Sequence, residues 1–138
     1  MRTITMIVVH CSCVRPYQTS SAAEIDKWHK DKGWKSIGYH FVCRRDGSIE
    51  TGRPVEVMGA HCYPHNRHSI GVCYEGGLNA RGKPYDTRTP QQKTALRALL
   101  KRLRRQFPKA LIVGHRDLAP DRDCPCFDAI AEYRDLQP

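Results

Sequence analysis

A histidine and a cysteine share one short polar segment near the carboxyl end of the chain, Gly114 to Asp128, which reads GHRDLAPDRDCPCFD. The apolar run Ala110 to Val113 comes before it and predicts a strand, so His115 should lie where a strand ends and a loop begins. Imidazole nitrogen and thiolate sulfur are donors that zinc accepts in tetrahedral sites. His115 and Cys124 are therefore candidate metal ligands, and a catalytic site needs a third ligand from elsewhere in the chain.

A second apolar run, Ile4 to Val9, also leads into a histidine, His10. The run is β-branched and apolar, which predicts a strand buried on both faces of a mixed sheet. If this strand and the one before His115 are neighbours, then His10, His115 and Cys124 converge, and a zinc ion there keeps one position open for water. The alternative is two unrelated histidines at strand ends and a free thiol.

Helix and strand signals alternate along the rest of the chain. Ser21 and Glu24 form a capping-box signature for a helix that continues to about Lys32. Later signals predict a hairpin at about 39–52, a strand at 69–75, a long helix at 90–107 and a last helix at about 127–136. This order predicts an α/β fold, in which residues 1–138 form a single domain with a central mixed β-sheet flanked by helices.

The formal net charge of +9 predicts an anionic partner: nucleic acid, a membrane surface or an acidic polymer such as the bacterial cell wall. The basic residues concentrate between Lys93 and Lys109. This concentration is either the solvated face of a helix or a dedicated binding patch, and charge does not decide between them.

The chain has seven cysteines, an odd number that does not suggest a secreted disulfide framework and suits a reducing compartment. No segment has the length of a membrane span, and Ile4 to Val9 is too short for the core of a signal peptide. We therefore expect synthesis in the cytoplasm without a signal peptide.

Several short blocks follow one another in an order that is more specific than any one block. They are Val8–Ser12, Ile37–Phe41, Arg45–Gly47, Gly59–His61, Asn66 with Ser69–Val72, Gly114–Asp117 and Cys124–Asp128. Together they resemble the zinc-dependent N-acetylmuramoyl-L-alanine amidases, the amidase-2 family, which includes phage amidase-type lysozymes and shares its fold with peptidoglycan recognition proteins. The resemblance implies hydrolysis of the amide between N-acetylmuramic acid and the L-alanine of the stem peptide in bacterial peptidoglycan.

The resemblance also implies residue roles. It makes His10, His115 and Cys124 the ligands of Zn²⁺ and Tyr39 a catalytic residue. Side chains alternate along a strand, so Tyr39 and its neighbour His40 should face opposite sides. Without the resemblance, Tyr39 would be interpreted as a tyrosine at the edge of the core.

Arg122 stands where phage members of the family often carry a lysine, two residues before the cysteine ligand. Arginine does not exchange a proton near neutral pH, so its predicted catalytic role is electrostatic. The resemblance implies substrate contact for His61 and Asn66. Either sulfur of Cys124 and Cys126 could reach the metal, and the family pattern favours Cys124.

The leading interpretation is a phage or prophage endolysin, expected to be monomeric, that acts on the cell wall after lysis or export. A non-catalytic peptidoglycan-binding module is the first alternative, although relatives of that kind typically lack the cysteine ligand. The second alternative is an amidase with an additional polymerase- or nucleic-acid-binding role, suggested by the charge and supported by no nucleic-acid motif.

Overall fold

A computed structural model describes residues 2–138 as one mixed five-stranded sheet with helices on both faces. The strands are β1 (Met6–Cys11), β2 (Phe41–Cys43), β3 (Ile49–Thr51), β4 (Ser69–Tyr74) and β5 (Leu111–Gly114). Their order in the sheet is β3-β2-β4-β1-β5. Only the β2–β3 hairpin is antiparallel; β1 pairs with β4 and β5, and β2 with β4, in parallel. The predicted α/β fold with a mixed sheet is confirmed.

The two main helices begin where the sequence predicts. Helix α1 (Ala22–Asp31) has Ser21 as its N-cap, and the Ser21 hydroxyl and Glu24 carboxylate form a reciprocal capping box. Helix α2 (Pro90–Gln106) is capped in the same way by Thr89 and Gln92, with proline in its first turn. These caps satisfy amide groups that a helix otherwise leaves without partners.

Alternation along the strands divides the core between the two faces of the sheet. On one face, Val9 and Val72 pack with the leucine stripe of α2, which comprises Leu96, Leu99, Leu100 and Leu103. On the other face, Val42 and Cys73 pack against Ile25 of α1. The basic residues of α2 lie mostly on its exposed side, while Arg97 pairs with Asp135 at 2.9 Å.

Two predicted elements differ from the structure. The last helix was expected over 127–136, but the chain forms the short helix α4 (Ala129–Glu132) and then a 3₁₀ turn, Arg134–Leu136. The Asp128 side chain accepts a hydrogen bond from Ala131 N, which sets the start of α4 two residues later. The segment after β5 was expected to be a loop and instead begins with a single helical turn, α3 (His115–Leu118).

A 3₁₀ turn, Asn66–His68, leads directly into β4. Within residues 2–138, every helix is too short or too polar to cross a lipid bilayer.

Candidate metal centre

Parallel pairing brings the two histidines that follow apolar runs to one end of the sheet. Val9 of β1 lies opposite Gly114 of β5, and His10 and His115 are the residues that directly follow this pair. Their ring centroids are 4.6 Å apart. The condition that the sequence left open, that the two strands are neighbours, is therefore met.

Cys124 completes the group from the loop that follows α3. Its Sγ lies 3.9 Å from His10 Nδ1, and the donor atoms of His10, His115 and Cys124 all lie within 4.8 Å of one another. Two backbone amides donate hydrogen bonds to this cysteine. Arg116 N donates to Cys124 O at 2.8 Å, and Cys11 N donates to Cys124 Sγ at 3.1 Å. Among the residues that the structure describes, no other group of three His, Cys, Asp or Glu side chains has this geometry.

The protonation states of Cys124 and His10 suit metal ligands, whereas His115 would have to lose a proton when a metal binds. The side chain of Cys11, followed by His10 and His115, holds the pKa of the Cys124 thiol well below its ordinary value. Hydrogen bonding to Cys124, and then to Cys62, raises the pKa of His115 to about 9. Burial lowers the pKa of His10, which favours the neutral imidazole. Without a metal, the site therefore favours a thiolate beside a protonated His115, whose proton a metal would displace.

A chain of hydrogen bonds runs from His10 away from the metal site. His10 Nε2 lies 2.9 Å from His61 Nδ1, and His61 Nε2 lies 3.2 Å from the Ser69 hydroxyl. The Ser69 hydroxyl donates to the carbonyl of His65 at 2.6 Å. Because Ser69 uses its only proton on that carbonyl, it accepts from His61 Nε2–H, and His61 Nδ1 then accepts from His10 Nε2–H. The chain thus leaves the lone pair of His10 Nδ1 directed at the metal site.

Two glycines make the slot that holds the His61 ring. A methyl group at Gly71 would lie 2.6 Å from His61 Cγ, and one at Gly59 would lie 2.8 Å from His61 Cδ2. Both distances are shorter than van der Waals contact, so a side chain at either position would displace the ring. Sequence reasoning missed this slot and Ser69, although Gly59 and Gly71 belong to the quoted blocks.

Tyr39 faces the same cleft as the three candidate ligands. Its ring centroid is 5.0 Å from that of His10, and both residues line a cleft of about 390 Å³ with His115 and Cys124. Burial raises the pKa of the Tyr39 hydroxyl well above its ordinary value, so the phenol keeps its proton and is a hydrogen-bond donor.

His40 points away from this cleft, as alternation predicts. Its Nδ1 accepts from Gly71 N at 3.0 Å, and its Nε2 donates to Val57 O at 2.8 Å. Both ring nitrogens therefore serve the packing of the loop against β4.

Arg122 is exposed and lines two neighbouring clefts. One is the cleft with Tyr39, and the other, of about 520 Å³, is lined by His61 and Asn66 among others. His115 also lines both, so Arg122 and His115 stand where the two clefts meet. Arg122 therefore lies beside the candidate metal centre, at the junction of the two clefts.

The two residues predicted to contact substrate also have structural partners. Asn66 Oδ1 accepts hydrogen bonds from His61 N and Cys62 N, each at 2.8 Å, which orders the loop before β4. The His61 ring is engaged with His10 and Ser69 as described above. Both residues line the second cleft, and their substrate contacts remain a prediction.

Comparisons with known proteins agree with this architecture. The sequence model of the family described as N-acetylmuramoyl-L-alanine amidase matches residues 1–127. The endolysin of Enterobacteria phage K11 is 46% identical over 120 residues, which cover 87% of this chain and 79% of the phage protein.

Solved structures extend the likeness to the fold. The N-acetylmuramoyl-L-alanine amidase LysC from Clostridium intestinale superposes with a TM-score of 0.82 at 32% identity, covering 98% of this chain and 86% of LysC. Drosophila PGRP-LB gives a TM-score of 0.78 at 26% identity, covering 96% of this chain and 81% of that chain.

In sequence and in fold, this α/β domain is that of a peptidoglycan amidase. The chain belongs to the N-acetylmuramoyl-L-alanine amidase family, and the predicted family, fold and amidase activity are confirmed.

Proposed function

We propose that the chain is a zinc-dependent amidase in which His10, His115 and Cys124 hold one Zn²⁺ ion and Tyr39 and Arg122 assist cleavage of the N-acetylmuramoyl-L-alanine bond. The observation that carries the proposal is the convergence of one sulfur and two imidazole donors within 4.8 Å at the wall of a cleft. Three protein donors and one open side are the arrangement of catalytic zinc sites.

The donor set fits zinc in chemistry and in spacing. Zn–N bonds of about 2.05 Å and Zn–S bonds of about 2.3 Å in a tetrahedron place the two donor atoms about 3.6 Å apart. The distance between Cys124 Sγ and His10 Nδ1 is 3.9 Å, only a few tenths of an ångström longer. All donor atoms of the group lie within 4.8 Å of one another, so a bound ion would draw them together by about 1.5 Å at most. The hydrogen bond from Cys11 N to Cys124 Sγ further supports the thiolate form that zinc requires.

A bound zinc ion would supply a Lewis acid that polarises the amide carbonyl and makes water nucleophilic near neutral pH. Tyr39 keeps its proton and faces the same cleft, so it can donate a hydrogen bond to the oxygen on which negative charge develops. Arg122 adds positive charge at the junction of the two clefts and transfers no proton.

The second cleft suits the polar groups of the substrate. Its lining includes His61, Asn66 and the aromatic side chains of Trp34 and Tyr63. Asn66 uses its oxygen on backbone amides, so a contact with substrate would come from its Nδ2 group. The formal charge of +9 favours association with an anionic wall.

The test is release of L-alanine amino groups from purified peptidoglycan, before chelation, after chelation and after zinc is added back. Amino groups that appear, disappear with the chelator and return with zinc are the expected result. Binding to the wall without release of amino groups, in zinc-supplemented protein, would contradict the proposal.

A further inference from the structure

Three thiols outside the group of His10, His115 and Cys124 meet beside it. Cys11 Sγ lies 3.6 Å from Cys13 Sγ and 3.9 Å from Cys126 Sγ, and all of these cysteines are free. All three residues line the cleft that contains Tyr39 and Cys124. Any chemistry at these sulfurs therefore takes place on the wall of the proposed active site.

The backbone holds two of these thiols in an unfavourable conformation. Cys13 has φ +59° and Cys126 has φ +72°, and they are the only residues other than glycine with positive φ between positions 2 and 138. This region costs an L-residue roughly 1–2 kcal/mol. Both residues in this unfavourable conformation are cysteines, and the sulfur of each lies within 3.9 Å of Cys11 Sγ.

Gly77 confines the central sulfur. A methyl group at Gly77 would lie 2.5 Å from Cys11 Sγ, and Cys126 Sγ donates to Gly77 O at 3.3 Å. Cys11 is only 3% exposed, whereas Cys13 is exposed to solvent. A reagent from solution should therefore react with Cys13 first, and Cys11 should react only with the adduct formed on Cys13.

We propose that Cys13 and Cys11 form an oxidisable dithiol site on the cleft wall, which reacts with small organic disulfides to give a Cys11–Cys13 disulfide. Closing the bond shortens the distance between the two sulfurs from 3.6 Å to about 2.05 Å. An enzyme that cleaves the cell wall, as proposed above, works outside the reducing cytoplasm, in a setting where disulfides persist.

The reaction balances in two steps. The Cys13 thiolate attacks one sulfur of the reagent RSSR, forming Cys13–S–S–R and releasing RS⁻, which takes up the proton from Cys13. The Cys11 thiolate then attacks the Cys13 sulfur, forming Cys11–S–S–Cys13 and releasing a second RS⁻, which takes up the proton from Cys11. Two protein thiols are oxidised and one RSSR is reduced to two RSH, so the group R leaves the cleft.

The experiment treats zinc-supplemented protein with oxidised glutathione and follows intact mass, disulfide-linked peptides and zinc content. The expected product has lost two thiol hydrogens, carries no glutathione, links Cys11 to Cys13 and keeps its zinc. In Cys11→Ala, the glutathione should remain on Cys13 as a stable mixed disulfide. Cys126→Ser is the matched control and should react like the original protein.

A Cys11–Cys126 bond, a persistent adduct on Cys13 in the original protein, or rapid oxidation of Cys11 in Cys13→Ser would overturn the proposal. Oxidation that requires Cys124 and expels zinc would overturn it as well. The peptide map is read independently of activity, so an inactive amidase and a failed dithiol site give different results.

Discussion

Replacing His61 with alanine is expected to weaken zinc binding while leaving the fold in place. His61 Nδ1 accepts the proton of His10 Nε2 at 2.9 Å, and this contact fixes the tautomer in which His10 Nδ1 faces the proposed metal site. His10 is only 1% exposed, so water does not readily take over as the acceptor.

The size of the effect follows from the unpaired donor. A buried N–H without a partner costs about 1–3 kcal/mol, and about 1.4 kcal/mol is a factor of ten in an equilibrium constant. Zinc affinity should therefore fall by roughly 5- to 150-fold. The cost falls mainly on the loaded state, because a metal-free His10 can move its proton to Nδ1 and direct it toward Cys124 Sγ, 3.9 Å away.

The assay is competition for zinc between the protein and a chromophoric chelator. His61→Ala should show the full loss, and Ser69→Ala a smaller one because His61 then loses the group that sets its own tautomer. The double variant should lose less than the sum, since both residues act through one chain of hydrogen bonds. His68→Ala is the control, because its ring contacts Thr5 at 2.8 Å and has no part in the chain.

Equal zinc affinity in folded His61→Ala and the original protein would refute this reasoning. An equal loss in His68→Ala would also refute it, because the effect would then belong to the loop as a whole.

Three further predictions concern single side chains. Tyr39→Phe should retain zinc and lower kcat by roughly 10²- to 10³-fold, the usual effect of losing one oxyanion donor; unchanged kcat would argue against its role. Arg122→Lys should keep most of the activity and Arg122→Ala should lose it, because the predicted role is electrostatic; an unaffected Arg122→Ala would contradict that role. Burial lowers the pKa of His40 to about 4, against about 6.5 in an unfolded chain, so the folded state binds fewer protons. The contribution of His40 to the free energy of unfolding, on the order of 3 kcal/mol, should therefore be fully present above pH 6.5 and be lost as the pH drops toward 4; an NMR titration of the His40 ring in the zinc-free protein with a midpoint near 6.5 would contradict this.

The sequence predicted the parts of the site that depend on strand ends. His10 and His115 each follow an apolar run, and parallel strands present the same ends at one edge of a sheet, so their meeting required only that β1 and β5 be neighbours. Cys124 was a candidate from its donor chemistry, but only the resemblance favoured it over Cys126, because a ligand nine residues beyond His115 follows from no local periodicity.

The contacts around these residues depend on how loops fold over the sheet. The partnership of His61 with His10 requires the segment before β4 to fold back across Gly71, and no periodic pattern in the sequence encodes that path. The separation of Cys124 from Cys126 likewise depends on backbone angles in one short loop. There the sulfur of Cys126 lies 3.9 Å from Cys11 Sγ and donates to Gly77 O, and it is not part of the group formed by His10, His115 and Cys124.

X-ray absorption spectroscopy of the zinc-loaded protein identifies the metal ligands themselves. The proposed site predicts one zinc ion per chain with a single sulfur ligand at about 2.3 Å and two imidazole nitrogens at about 2.0–2.1 Å. The spectrum should lose the sulfur contribution in Cys124→Ser and keep it in Cys126→Ser. Two sulfur ligands, or a sulfur contribution that survives in Cys124→Ser and vanishes in Cys126→Ser, would contradict the assignment of His10, His115 and Cys124 as the metal site.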